Sequence, residues 1–111
     1  MTMRQSQTAV LEKNTTLHGT FATEPFEVAW AREARWFLQI VDADGDATIT
    51  LSTQVSPDGL NWVDLPGGER TIEGAALTSW AVADFGHWLR VQGRVADGGA
   101  VKVRIYLALK S

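Results

Sequence analysis

Val101-Lys102-Val103-Arg104-Ile105-Tyr106-Leu107-Ala108-Leu109 is the stretch on which the fold class turns. Successive side chains of a strand point to opposite faces. Val101, Val103, Ile105, Leu107 and Leu109 therefore form one buried face, while Lys102, Arg104 and Tyr106 turn outward. In a helix the same apolar residues would be spread around the axis and could not share a face. Strands that bury one face belong to antiparallel sheets packed on one side.

The same period recurs upstream. From Ala47 to Val55, Ala47, Ile49, Leu51 and Val55 share a face, and Thr48, Thr50, Ser52 and Gln54 share the other. His87, Leu89 and Val91 alternate against Trp88, Arg90, Gln92 and Arg94. Ten valines, four isoleucines and eleven threonines add a heavy load of β-branched residues, which fit a pleated surface better than a helix.

Turn chemistry divides these runs. Asp44-Gly45, Asp58-Gly59, Gly67-Gly68 and Asp97-Gly98-Gly99 supply residues that tolerate positive φ. Three hairpins are expected: Arg35–Val41 with the Ala47 strand through Asp42–Asp46; Trp62–Leu65 with Glu69–Ile72 through Pro66-Gly67-Gly68; and His87–Val95 with the last strand through Ala96–Ala100. Trp62 is expected to pack back under the turn that precedes it. Glu24–Val41 carries a competing helical pattern, since Phe26, Trp30, Phe37 and Val41 could share a helix face. The strand reading is preferred, with a strand at Phe26–Trp30, a polar loop at Ala31–Ala34 and a strand from Arg35. The expected fold is all-β: an antiparallel β-sandwich, jelly-roll-like or Ig-like, over 15–111, with residues 1–14 as an amino-terminal arm or edge strand.

The chain has 111 residues, enough for one domain. Ten Lys/Arg against thirteen Asp/Glu leave a net charge of −3. Nucleic-acid binders draw their affinity from basic patches on phosphates, so this balance argues against a nucleic-acid partner. No apolar run approaches the roughly 18 residues of a membrane-spanning helix, and residues 1–8 lack the apolar core of a secretion signal. Synthesis in the cytoplasm, with retention there or release by lysis and no membrane partner, is the expectation. The chain has no cysteine, which excludes a disulfide scaffold, a thiolate nucleophile and thiolate metal sites.

Asp42-Ala43-Asp44-Gly45-Asp46-Ala47-Thr48-Ile49 places oxygen ligands at alternate positions, as in the first part of an EF-hand calcium loop. The sixth position holds Ala47 in place of Gly, and the twelfth holds Thr53 in place of a bidentate Glu. A solvated loop is the plainer reading. A weak calcium site at Asp42, Asp44 and Asp46 is the alternative, and no other cofactor is expected. His18 and His87 stand beside no nucleophile or second ligand, and no phosphate-binding glycine loop is present. An enzyme is not expected.

Five tryptophans are many for so small a domain. Trp36 alternates with Leu38 and Ile40 and reads as core. Trp80 and Trp88, with Arg90 beside the latter on the outward face, are the candidate interface or ligand residues.

Ser56-Pro57-Asp58-Gly59-Leu60-Asn61-Trp62-Val63-Asp64-Leu65 resembles an S-x-D-G-x-x-W-x-x-L turn of small β-sandwich proteins. It is followed by Pro66-Gly67-Gly68, by Gly86-His87-Trp88-Leu89-Arg90-Val91, and by an alternating last strand. That order, over Phe26–Lys110, resembles the small structural proteins of tailed bacteriophages and prophages. The resemblance implies a non-enzymatic virion protein, a capsid decoration or accessory head or tail part. It would bind a repeated capsid or tail lattice and form a homo-oligomer such as a trimer. Similar Asp-Gly…Trp turns occur in carbohydrate-binding sandwiches. The second hypothesis is accordingly a carbohydrate-binding module, with Trp80 or Trp88 as stacking platform and calcium at the aspartates.

Overall fold

The computed structural model describes residues 4–43, 47–73 and 77–111. Among these residues nine strands follow in chain order: β1 (Ser6–His18), β2 (Thr20–Ala22), β3 (Phe26–Glu27), β4 (Glu33–Ala43), β5 (Thr48–Ser56), β6 (Val63–Glu73), β7 (Leu77–Val82), β8 (Trp88–Val95) and β9 (Ala100–Lys110). One sheet has the order β1-β9-β4-β7. The other has the order β2-β8-β5-β6, with β3 also paired to β8. Every strand pair is antiparallel. The chain is a β-sandwich, and no described helix is long and apolar enough to cross a membrane.

The alternation of 101–109 has the consequence expected of it. Val101, Val103, Ile105, Leu107 and Leu109 are all buried, and β9 lies inside its sheet between β1 and β4. Burying a side chain of this size stabilises by about 1.5–3 kcal/mol, so this strand is a principal contributor to the core. Trp36, Leu38 and Ile40 of β4 and Ile49 and Leu51 of β5 complete the interior. Thr53 continues the inward face of β5 and is fully buried.

Two of the expected hairpins are not hairpins. β4 pairs with β9 and β7, whereas β5 pairs with β6 and β8, so the chain between β4 and β5 passes from one sheet to the other. β8 and β9 are divided between the sheets in the same way, with a 3-10 turn at Ala96–Gly98 between them. Alternation fixes which face of a strand is buried. It does not tell whether the next strand lies beside it or across the core, and Asp-Gly turns serve both connections.

The third expected hairpin is one strand. β6 runs unbroken from Val63 to Glu73, and its pairing with β5 jumps from Asp64↔Gln54 to Glu69↔Ser52. Residues 65–68 therefore bulge out opposite Thr53. Gly67 has φ +81°, and a Cβ on Gly68 would stand 3.0 Å from the Thr53 Cβ, so the glycines permit the bulge. The true hairpin here is β5–β6, closed by residues 57–62.

Within Glu24–Val41 the strand reading holds and the helix does not form. Phe26–Glu27 pairs with β8 at Leu89 and Trp88. The chain then turns at 28–32, with the Ala31 N–H donating to the Val28 carbonyl at 3.0 Å, and re-enters a strand at Glu33.

The amino-terminal segment is an edge strand along its described length. β1 pairs with β9 from Ser6↔Lys110 to His18↔Ala100, with two bulges. One bulge holds Asn14 at φ +56°, a conformation Asn tolerates, and Arg104 Nε donates to Asn14 Oδ1 at 2.7 Å. At the other end Gln5 and Ser111 clasp the two termini: the Ser111 N–H donates to the Gln5 carbonyl and the Gln5 N–H to Ser111 Oγ. Residues 5–18 are thus part of the sandwich and not a free arm.

Candidate interaction surfaces

The β5–β6 turn is built on Ser56 and Asp58. Ser56 Oγ, buried, accepts from the N–H groups of Asp58 and Gly59 and donates to Asp58 Oδ1. Asp58 Oδ1 in turn accepts from the Leu60 and Asn61 N–H groups, and Oδ2 accepts from Asn61 Nδ2 at 2.7 Å. These donors, led by the Asn61 and Leu60 backbone amides, hold the Asp58 carboxyl well below the usual carboxylate range. Leu60 of this turn is 81% exposed and Val63, the first residue of β6, is 60% exposed, with Asp58 and Asp64 exposed on either side of them in the chain. An apolar pair this open, with carboxylates on either side, is the chemistry of a contact surface.

Gly59 sits on the Trp88 ring. At φ +78°, a Cβ there would lie 3.3 Å from two ring carbons. Trp88, at the start of β8, is therefore half-buried beneath the turn, in the place expected for Trp62. Trp62 lies elsewhere, with the Arg90 guanidinium 4.4 Å over its ring centroid. Arg90 Nε donates to Gln54 Oε1 at 2.7 Å, and Gln54 Nε2 donates to Asp64 Oδ1 at 2.8 Å. The Trp62–Arg90–Gln54–Asp64 chain fixes the base of the turn across three strands. His87 precedes the start of β8 and is exposed, outside the alternation that buries Leu89 and Val91.

Trp80 does not reach a surface from which it could bind anything. It is 3% exposed, and its indole N–H donates to Thr53 Oγ1 at 3.1 Å inside the core. A sugar-stacking platform needs an open ring face. Trp80 is buried, Trp88 is covered by Gly59, and one face of Trp62 is taken by Arg90. Of the expected interface residues, Trp88 and Arg90 belong to one assembly with the turn, and Trp80 is a core residue.

Of the candidate calcium ligands, Asp42 is exposed and stands opposite Lys102 in the β4–β9 register. Asp44 and Asp46 lie outside the described residues. Among the described residues no three His, Asp or Glu side chains gather as a metal site would require.

A second surface was legible only in part from the sequence. The register carries Val10, Tyr106, Phe37 and Ser79 in one rank across β1, β9, β4 and β7 on the outer face of their sheet. Thr8, Ala108, Arg35 and Ala81 form the next rank, and Lys13, Arg104, Gln39 and Leu77 the one on the other side. Val10 is 53% exposed and Leu77 65%. Where Arg35 and Ala81 meet the ends of the strands, the surface sinks into a groove of about 440 Å³. Its walls include Phe37, Ala81 and Ala108, with Arg32, Arg35 and Lys110 as cations and Glu33 as an acid. Arg35 is held in place by donating to Ser79 Oγ at 2.7 Å. The outward position of Tyr106 follows from alternation, and so does that of Phe37 beside the inward Trp36. The ranking of the four strands, which joins them into one band, does not.

No protein-family model matches the chain, and no curated protein matches it in sequence. Its fold is similar to that of the SPBc2 prophage-derived protein YomS, with TM-score 0.58 and 10% identity, over 100% of this chain and 97% of that one. Weaker likenesses are a family two carbohydrate esterase from Cellvibrio japonicus and latent PorU from Porphyromonas gingivalis. The first has TM-score 0.38 and 12% identity over 98% of this chain and 35% of that one. The second has TM-score 0.35 and 11% identity over 97% of this chain and 10% of that one. Likenesses at that level carry no argument about this chain.

Proposed function

We propose that this chain is a non-enzymatic structural protein of a tailed-phage or prophage particle, a capsid decoration or accessory head or tail part. The observation that carries the reading is the end-to-end likeness in fold to a prophage-derived protein of nearly the same extent. The turn-and-strand order of residues 56–68, 86–91 and 101–110 supports it independently. So does the character of the surfaces: an exposed apolar pair at Leu60 and Val63, and a broad band through Val10, Tyr106 and Phe37. Such surfaces suit attachment to a protein lattice, where modest affinity per copy is multiplied by repetition.

The test is genetic and direct. A stop codon early in the coding sequence of a phage or prophage that carries it should yield particles lacking one protein component, with reduced stability or incomplete assembly. Particles of unchanged composition and stability would overturn the proposal.

A further inference from the structure

The turn at Leu60 and the groove beside Arg35 are chemical complements on one chain. Leu60 and Val63, both exposed, make an apolar knob at the tip of the β5–β6 hairpin, and the exposed Asp58 and Asp64 flank them in the chain, Asp64 being tied to Arg90 through Gln54. The groove is lined by the apolar Phe37, Ala81 and Ala108 and by the cations Arg32, Arg35 and Lys110, with Glu33 as its one acid. Its volume of about 440 Å³ leaves room for a branched aliphatic side chain. Further along that face stand Arg104 and Lys102, the latter opposite the exposed Asp42, although the whole chain carries a net charge of −3.

We propose that the groove receives the Leu60/Val63 knob of a second copy of this chain. Opposite charges at the rims steer and register the contact, and the apolar side chains leave water at its centre. A symmetric pairing of two grooves would instead face Arg35 and Lys110 with their own counterparts, which repel. Knob and groove are different patches, so the contact is head-to-tail. Each copy then offers a free knob and a free groove, and the rotation between copies decides whether a ring closes or a filament grows. This deepens the structural-protein reading and rests on it for its setting in a particle.

The experiment uses the full chain and two kinds of variant. The knob variant is Leu60→Lys with Val63→Lys. The groove variant is Ala81→Trp, which fills the groove without adding a charge, with Ala108→Trp as a second in case the first disturbs the sheet; thermal melts confirm that each is folded. Sedimentation velocity is run over a concentration series at roughly 50 mM and roughly 500 mM salt, a range that strongly alters screening. The wild type is expected to associate, and more weakly at the higher salt. Each variant alone should associate at least about tenfold more weakly. An equimolar mixture of knob and groove variants should form one-to-one dimers and stop there, since one intact knob and one intact groove remain. A wild type that stays monomeric at every concentration would overturn the proposal. So would a knob variant that associates like the wild type, or a mixture that stays monomeric. Failure of the virion reading is a separate observation: the chain would be missing from particles while the knob-in-groove contact persisted in solution.

Discussion

Trp36 and Trp80 stand directly opposite one another on β4 and β7, and their indole N–H groups differ in what they meet. Trp80 donates to the buried hydroxyl of Thr53 at 3.1 Å, whereas Trp36, fully buried, has no partner for its N–H among the described residues. A buried donor without an acceptor costs about 1–3 kcal/mol. Trp36→Phe removes that cost along with part of the ring, so the two effects offset. Trp80→Phe removes a satisfied donor, takes from Thr53 Oγ1 its indole partner, and weakens the contact with the Arg70 guanidinium that lies 5.8 Å from the ring centroid. Urea denaturation should rank Trp36→Phe the more stable variant by at least about 1 kcal/mol.

Gly59 and Gly67 separate backbone strain from packing. Both have positive φ, +78° and +81°, but a Cβ on Gly59 meets the Trp88 ring while one on Gly67 meets nothing within 4 Å. Gly67→Ala should cost only the left-handed backbone term of about 1–2 kcal/mol. Gly59→Ala should cost more and should change the tryptophan emission spectrum, because Trp88 must move. Equal destabilisation by the two substitutions would remove the turn-on-ring contact from the account.

Asp58 makes the turn sensitive to acid. Its carboxyl titrates below the usual range in the folded chain because four donors prefer the charged form. A lowered folded value contributes stability that is complete above about pH 4, the value of an unfolded Asp, and is lost as the pH falls below it. Asp58→Asn should therefore lower the melting temperature at pH 6, and the gap from the wild type should narrow steadily toward pH 2. A gap independent of pH would show that the carboxylate charge is not what the turn uses.

Removal of residues 1–14 should destabilise the sandwich and not merely weaken its associations. That segment holds most of the β1–β9 pairing, the clasp between Gln5 and Ser111, and the buried Ala9. Its loss would also uncover the edge of β9, a strand that is central in the intact sheet. Circular dichroism and urea titration of the truncated chain should show a markedly lower midpoint, or no cooperative transition.

The β-sandwich was legible because β4, β5, β8 and β9 each bury one face, and a two-residue period needs no partner to be read. Partnership was not legible. The Asp-Gly pairs near 44 and 97 read as hairpin turns in the sequence, yet the strands that flank each pair belong to different sheets, a choice made by packing across the core. Pro66-Gly67-Gly68 was misread for a related reason: a glycine pair that reverses a chain in one context bulges a strand in another. Thr53, buried opposite that bulge, decides between them. Alternation placed Trp88 and Arg90 on the outward face of their strand, and the structure joins both to the β5–β6 turn. Trp80 was misplaced because the short β7 gives too few alternations to fix its face. Leu60 and Val63 were quoted only as parts of a turn, and nothing in the sequence marks them as exposed until the Ser56–Asp58 hydrogen bonds set the loop's direction.

The most direct test of the central claim is a copy number. Particles released from a strain carrying the coding sequence can be banded by density and quantified by mass spectrometry with isotope-labelled peptides of this chain. The account predicts many copies per particle, in a constant ratio to the major capsid or tail protein across the band. Chain that is abundant in the lysate but absent from the banded particles would contradict it.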